Sequence, residues 1–285
     1  MHGLRRNCWN HVIPSPQEAV GNVKIRPHIE ALVHRTADVL GLSNGTKANL
    51  VSSIVSFASK ISDEIEFERM VKRQLVVGCD RSMLYEAIRE RSTIIFEEVA
   101  SRFTGQSLLD IGCGNGLISK MARPYFADIQ MLDVVNYVSP EIDLPYLPYR
   151  EGEVLPVTKK YDSVLLLTVL HHSNDPMVLL KESWRVTNRR LIIIESVFGV
   201  HAQVAGGPYE LADCAEPEQI AYAVFVDWLY NRVLNDNIPV PYNFTTPGRW
   251  AEVFSECDMR VAEVQNLGQD IKIAPELHYM FVLER

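Results

Sequence analysis

The sequence predicts an α/β chain in which a parallel sheet with helices on both faces follows an all-helical segment. Three observations predict it. The apolar period changes near Gly105, from helical stripes to short apolar runs that alternate with helical stretches. A buried run from Ser107 leads directly into closely spaced glycines and then into a helix. Between Glu195 and Thr246 the chain is too long for a simple crossover and carries a helical pattern of its own.

Before Gly105 the elements are helices. Ile29, Leu32, Val33 and Leu40 share a face, and Gly41 supplies a C-terminal stop with Leu42 behind it. Leu50, Val51, Ile54, Val55, Ala58 and Ile61 form a second stripe. Ile65, Met70, Val71 and Leu75 form a weaker third. Leu84, Ile88, Ile95, Val99 and Phe103 form a long fourth, with Asp80 as its expected N-cap. Residues 1–104 are therefore expected to be a helical cap or dimerisation segment.

After Gly105 the apolar runs are Ser107–Ile111, Ile129–Val134, Tyr161–Thr168 and Arg190–Glu195, which read as strands. Asp175-Pro176 and Thr246-Pro247 each place an N-cap before a proline at the first helical position. The second precedes a helix carrying Trp250, Val253 and Phe254. Arg260–Val264 and Leu277–Leu283 read as two final strands. Pro217–Leu234 reads as an amphipathic helix and is followed by Tyr242 and Phe244. The expected domain, 105–285, thus contains an insertion at about 197–245 that covers the substrate. Phe225, Trp228, Tyr242 and Phe244 would give that cover an apolar, aromatic face, with Asp227 and Arg232 as polar groups to orient a substrate.

Composition narrows the function classes. The chain has 285 residues, 47 % hydrophobic and 22 % charged, with a formal net charge of −8. That is globular composition, and the acidic balance argues against a nucleic-acid partner, which needs clustered cations. The five cysteines form no CxxC pair, so neither a disulfide framework nor a metal site is expected, and a reducing cytoplasm fits. Arg5 and Arg6 are followed by no long apolar stretch, and no run approaches the roughly 18 residues that span a bilayer. The expectation is a soluble protein.

The most informative segment is Ser107-Leu-Leu-Asp-Ile-Gly-Cys-Gly-Asn-Gly-Leu-Ile-Ser119. Its spacing is G-x-G-x-G, not the G-x-G-x-x-G that sets a pyrophosphate on a helix end. Asp110 precedes the turn, where a carboxylate takes an amino group and repels a diphosphate. LLDIGCGNG resembles motif I of class I S-adenosylmethionine-dependent methyltransferases. Asp133 lies about twenty residues on, at a strand end, where an acid accepts both ribose hydroxyls. Tyr149–Val157 resembles the family's segment before the fourth strand, and Tyr161–Pro176 resembles its fourth-strand motif. The order and spacing agree over residues 105–196, and the likeness is to the ubiquinone-biosynthesis-like group that methylates small molecules. It does not extend to the first hundred residues.

The resemblance implies a Rossmann-like sheet, mostly parallel with an antiparallel last strand, and S-adenosyl-L-methionine as cofactor. It implies a cofactor site made from Asp110, Gly112, Cys113, Gly114, Gly116, Leu117, Asp133, Val134 and Thr168, with Glu151 or Gly152 near the adenine. His171 and His172 follow the fourth strand, at the edge where doubly wound sheets bind ligands, and histidine titrates near working pH. Glu195 ends the fifth strand on the same edge. By analogy with related sugar O-methyltransferases, His171 would be the base and Glu195 its orienting partner. No Asn-Pro-Pro-Tyr or Asp-Pro-Pro-Tyr follows the fourth strand, which argues against methylation of a base amino group or a glutamine amide. The expected reaction is methyl transfer to a small, fairly hydrophobic metabolite, on oxygen or carbon, with nitrogen also open. Two alternatives stand beside it: a cofactor-binding enzyme of non-methylating chemistry, such as a cyclase, and a non-catalytic partner subunit. The N-terminal helices would close the site or build a homodimer.

Overall fold

The computed structural model describes residues 5–76, 81–201, 209–235, 238–270 and 274–285. The helices are α1 (Pro16–Gly21), α2 (Arg26–Val39), α3 (Asn44–Lys60), α4 (Glu64–Val76), α5 (Arg81–Ala100), α6 (Leu117–Ala122), α7 (Pro176–Val186), α8 (Glu216–Asp227) and α9 (Pro247–Glu256). The strands are β1 (Ser107–Ile111), β2 (Asp128–Asp133), β3 (Tyr146–Pro148), β4 (Tyr161–Leu167), β5 (Thr187–Val197), β6 (Arg260–Gln269) and β7 (Leu277–Glu284). They fold into two compact units. A helical unit is drawn from Met1–Ile88, Val197–Phe244 and Gly268–Leu277, and a sheet unit from Arg89–Ser196, Thr245–Leu267 and His278–Arg285.

In the helical unit α1, α3 and α4 start on side-chain caps. Ser15 and Glu18 form a capping box on α1: the Ser15 hydroxyl accepts the Glu18 N–H, and the Glu18 carboxylate accepts that of Ser15. Ser-Pro-x-Glu announces this short helix, whose six residues hold no full apolar stripe. α2 buries Ile29, Leu32 and Val33 and ends as expected. Gly41 takes φ +67°, and the Leu42 N–H reaches back to the Ala37 carbonyl at 2.9 Å, as a Schellman stop requires. On α4 the buried stripe is Phe67, Val71 and Leu75, spaced by four, whereas Ile65 is 67 % exposed. The weak stripe read from sequence was thus out of phase by two residues at its start. Asp80, the expected cap of α5, lies outside the described residues.

The insertion folds with these helices. α8 is buried on every side from Gln219 to Asp227, so it is a core helix and not the amphipathic one expected. It continues into a π-helical stretch, Trp228–Leu234. The Trp228 indole stacks on Phe67 at 5.1 Å between centroids. The Asn7 side-chain amide donates to the carbonyls of Tyr242 and Phe244 at 3.1 and 2.9 Å.

Among the described residues the sheet unit is built on seven strands in the order β3-β2-β1-β4-β5-β7-β6. β1 pairs in parallel with β2 and β4, β2 with β3, and β4 with β5. The Arg285 N–H bonds the Arg189 carbonyl, and Arg260 pairs with Glu284, so the end of β7 lies beside the starts of both β5 and β6. β7 therefore runs antiparallel to both neighbours, as the resemblance implied. Ile95 and Val99 of α5 pack with Leu108, Leu165, Ile192 and Val282. Trp250 and Phe254 of α9 are stacked on each other, and Phe254 meets Phe281 edge-on at 5.2 Å. Asp175 and Thr246 cap α7 and α9 through their side chains, as the sequence predicts. Among the described residues no helix is long and apolar enough to cross a membrane.

Candidate active site

β1 has β2 on one side and β4 on the other, so successive connections leave it in opposite directions and open a crevice at its carboxyl end. The glycine loop lies there. Gly112, Gly114 and Gly116 take φ of +72°, +52° and +77°, a region costly for any side chain. They serve different ends. A Cβ on Gly112 would lie 2.5 Å from Val169 Cγ2, so this glycine lets the loop pack on the turn after β4. A Cβ on Gly116 would sit 3.2 Å from Met131 Sδ. A Cβ on Gly114 would meet nothing within 4 Å, and only this glycine of the three faces open space.

The loop hangs from the end of β2. The Gly112 and Cys113 N–H groups both donate to the Leu132 carbonyl, at 2.8 and 3.1 Å. Gly114 N–H donates to Asp133 Oδ2 at 2.9 Å, and Val134 N–H to Oδ1 at 2.7 Å. The Asn115 side chain caps the Leu117 N–H at 3.0 Å. With these donors engaged, the loop is no phosphate cradle, which agrees with the spacing argument. Burial, partly offset by the backbone donors, raises the Asp133 carboxyl above its ordinary range. Burial also pushes the Cys113 thiol far up, which leaves it an inert filler. Asp110 is buried at the end of β1 and accepts the Ser119 hydroxyl at 2.6 Å. Burial raises it to about 6 against the Ser119 bond, and Asp133 adds to the rise. Ser119 was not singled out from sequence, although its place on the first turn of α6 aims it back at the loop.

A second cluster follows β4. Thr168 holds φ +58°, an outlier for a β-branched residue, with its N–H on the Ile194 carbonyl at 2.6 Å. A 3₁₀ turn, Leu170–His172, comes next. Glu195 ends β5 beside it and is wholly buried. Its Oε1 accepts the Val169 and Leu170 N–H groups at 2.9 and 2.7 Å. Its Oε2 accepts the His171 N–H at 3.3 Å and faces His171 Nδ1 at 2.7 Å. A carboxylate that gathers three backbone donors is an acceptor, so Nδ1 carries the proton and Nε2 is the basic nitrogen. His171 is 2 % exposed and His172 half-buried, with ring centroids 4.2 Å apart. The structure thus brings His171, His172 and Glu195 together at the carboxyl edge of β4 and β5.

Glu151 is engaged elsewhere. Its carboxylate takes the Asn174 N–H and, at 2.6 Å, the Asn174 side-chain amide. Gly152 beside it has φ +78° and open space where a Cβ would be. Phe225, Trp228, Tyr242 and Phe244 are each at most 1 % exposed. Their ring partners in the helical unit are Phe67 and one another. Arg232 pairs with Glu68 at 3.1 Å, and Asp227 accepts from Asn231 at 2.6 Å.

Residues 109–193, the loop and strands just described, match a family model described as a methyltransferase domain. This segment is therefore a methyltransferase domain. No curated protein matches the chain. Among solved structures, the methyltransferase domain is similar to a Haloferax volcanii methyltransferase determined in complex with the Trm112 methyltransferase activator. Identity there is 14 %, coverage 70 % of this chain and 92 % of that one, and the TM-score 0.50. An S-adenosylmethionine-dependent methyltransferase of Mesorhizobium loti is 12 % identical over 67 % of this chain and 98 % of its own, with a TM-score of 0.47. Magnesium protoporphyrin IX methyltransferase of Synechocystis is 11 % identical over 85 % and 95 %, with a TM-score of 0.44. At these identities the likeness is one of fold.

Proposed function

We propose that the protein transfers a methyl group from S-adenosylmethionine to a hydroxyl, or to a comparably acidic carbon, of a small and fairly hydrophobic metabolite. The observation that carries this reading is the His171–Glu195 pair, a base with its tautomer fixed by a buried carboxylate. When bound, the cofactor supplies a methyl group on a positively charged sulfur. The residues present fit it. The open face of Gly114 leaves room for a ligand against the loop, and Asp110 would take its amino group. Asp133, with Val134 beside it, would take the ribose, and Gly152 leaves space near an adenine. Glu151 would act there through the Asn174 turn that it holds. Thr168, strained at the end of β4, would shape the floor.

His171 Nε2 would take the acceptor's proton as the acceptor attacks, and Glu195 would stabilise the imidazolium that results. A positioned base of this kind is worth about 10²–10⁴ in rate. The buried side chains of Val169 and Leu170 beside it supply an apolar surround that suits a reaction in which positive charge leaves the sulfur. His172 would contact the acceptor or pack on His171. The net charge of −8 supports a small molecule as the acceptor in place of nucleic acid.

Calorimetric titration with S-adenosylhomocysteine, with NAD as control, tests the cofactor assignment. Micromolar binding of the first alone is expected, and Gly114→Arg is expected to abolish it in a folded protein by filling the open face. Unchanged affinity in that variant would refute the loop assignment. For the base, His171→Ala is expected to lower methyl transfer to a hydroxylated acceptor about 10²–10⁴-fold at unchanged S-adenosylhomocysteine affinity. Full activity in His171→Ala would remove the histidine from the mechanism.

A further inference from the structure

The helical unit holds a cleft of its own, with two lobes. The larger, about 640 Å³, is walled by Val12, Ile13, Ala58 and Ile61, with Gln17 among them. The smaller, about 330 Å³, is lined by Glu68, Arg232 and Tyr242. Arg5 and Glu64 line both lobes. The larger lobe has the size of a small-molecule site.

Three polar groups in this cleft are under-used among the described residues. The Gln17 side chain is more than nine-tenths buried, and its Oε1 has no hydrogen-bond partner. The Tyr242 hydroxyl is buried and also has none. Glu64 meets Arg5 at 3.8 Å, beyond hydrogen-bond distance, so its carboxylate keeps its acceptor capacity. A buried polar atom left unpaired is destabilising, so an arrangement with several of them invites a ligand that pairs them. Arg232 is already taken by two bonds to Glu68, at 3.1 and 3.3 Å, and the Arg5 guanidinium lies over the Tyr242 ring at 5.0 Å.

The cleft is built and held. Tyr242 sits at φ +58°, a strained position for a bulky residue. Asn7 fixes it by donating to its carbonyl, and Asn243 accepts the Cys8 N–H at 2.9 Å. Its lining carries Arg5 and Arg232 against Glu18, Glu64 and Glu68, an acid excess of one. That balance repels an anion and favours a cation.

We propose that this cleft binds a primary amine with an apolar body. The ammonium, with three donors, would meet Glu64 and Gln17 Oε1, and the body would lie against Val12, Ile13, Ala58 and Ile61. Titration of the full chain with 4-phenylbutylamine, with 4-phenylbutanoate as a control of the same body, tests this. Saturable binding of the amine and none of the acid is expected. Glu64→Gln, at the half-buried start of α4, is expected to weaken it at least tenfold, and Gln17→Leu about fivefold. Ala58→Trp, which fills the larger lobe, is expected to abolish it, with melting temperatures showing each variant folded. Absence of amine binding, equal binding of the acid, or binding unchanged in folded Ala58→Trp and Glu64→Gln would each overturn the proposal.

Discussion

At the scale of single residues, the two informative carboxylates differ in how they are solvated. Glu195 replaces water with four donors, whereas Asp110 has the Ser119 hydroxyl and a deficit from burial. The native Asp110 carboxyl stands at about 6 against an ordinary 3.8, so the native state holds its proton the more tightly. Stability of the cofactor-free protein therefore falls as pH rises through that window, by roughly 3 kcal/mol, and is flat above it. Asp110→Asn is expected to raise the melting temperature at pH 7.5 and to weaken S-adenosylhomocysteine binding. In the unaltered protein that binding should weaken below pH 6, because protonation removes the charge an amino group would meet. Calorimetry at pH 5 and pH 7.5 checks both signs. Glu195→Gln is expected to lower activity by about 10²–10⁴ and to shift the acidic limb of the pH–rate profile, since an amide no longer stabilises the His171 imidazolium or fixes Nδ1 as donor. A drop in rate with an unaltered profile would make Glu195 a structural cap alone.

At the scale of elements, the loop and the turn after β4 are one packing problem. Gly112→Ala is expected to destabilise by about 2–4 kcal/mol, combining an unfavourable φ with overpacking on Val169. Val169→Ala in the same chain should recover part of it, as equilibrium unfolding in urea would show. The loop, β1, both proline-capped helices and the stop at Gly41 were legible in the sequence, because each is specified by neighbours within a few residues. Phe67 was not, because its reason for burial is Trp228, far along the chain. β3 was missed as well, since three residues ending in proline carry no alternation. His171 and Glu195 were legible as residues on one edge. What their bond does was not, because three of the four donors on Glu195 are backbone groups that no side-chain pattern reports.

At the scale of the whole molecule, the helical unit is assembled from three separated stretches of chain. Nothing along the sequence announces that Asn7 will hold the backbone at Tyr242 and Phe244, since the bond spans more than two hundred residues. A consequence is that the N-terminal helices cannot be trimmed away cleanly. A chain beginning at Arg89 would leave Trp228 without Phe67 and Tyr242 without Asn7. It is expected to show a red-shifted tryptophan emission and loss of cooperative unfolding, while native emission and a sharp transition would show that the insertion is self-sufficient. The position of β7 bears on synthesis. It is the last strand in sequence, yet it lies between β5 and β6. During translation β6 emerges first and finds no place on the growing sheet, because the strand that joins it to β5 has not yet been made. The β5 edge must stay unpaired until β7 emerges, and over that interval a holding chaperone would find exposed backbone to bind.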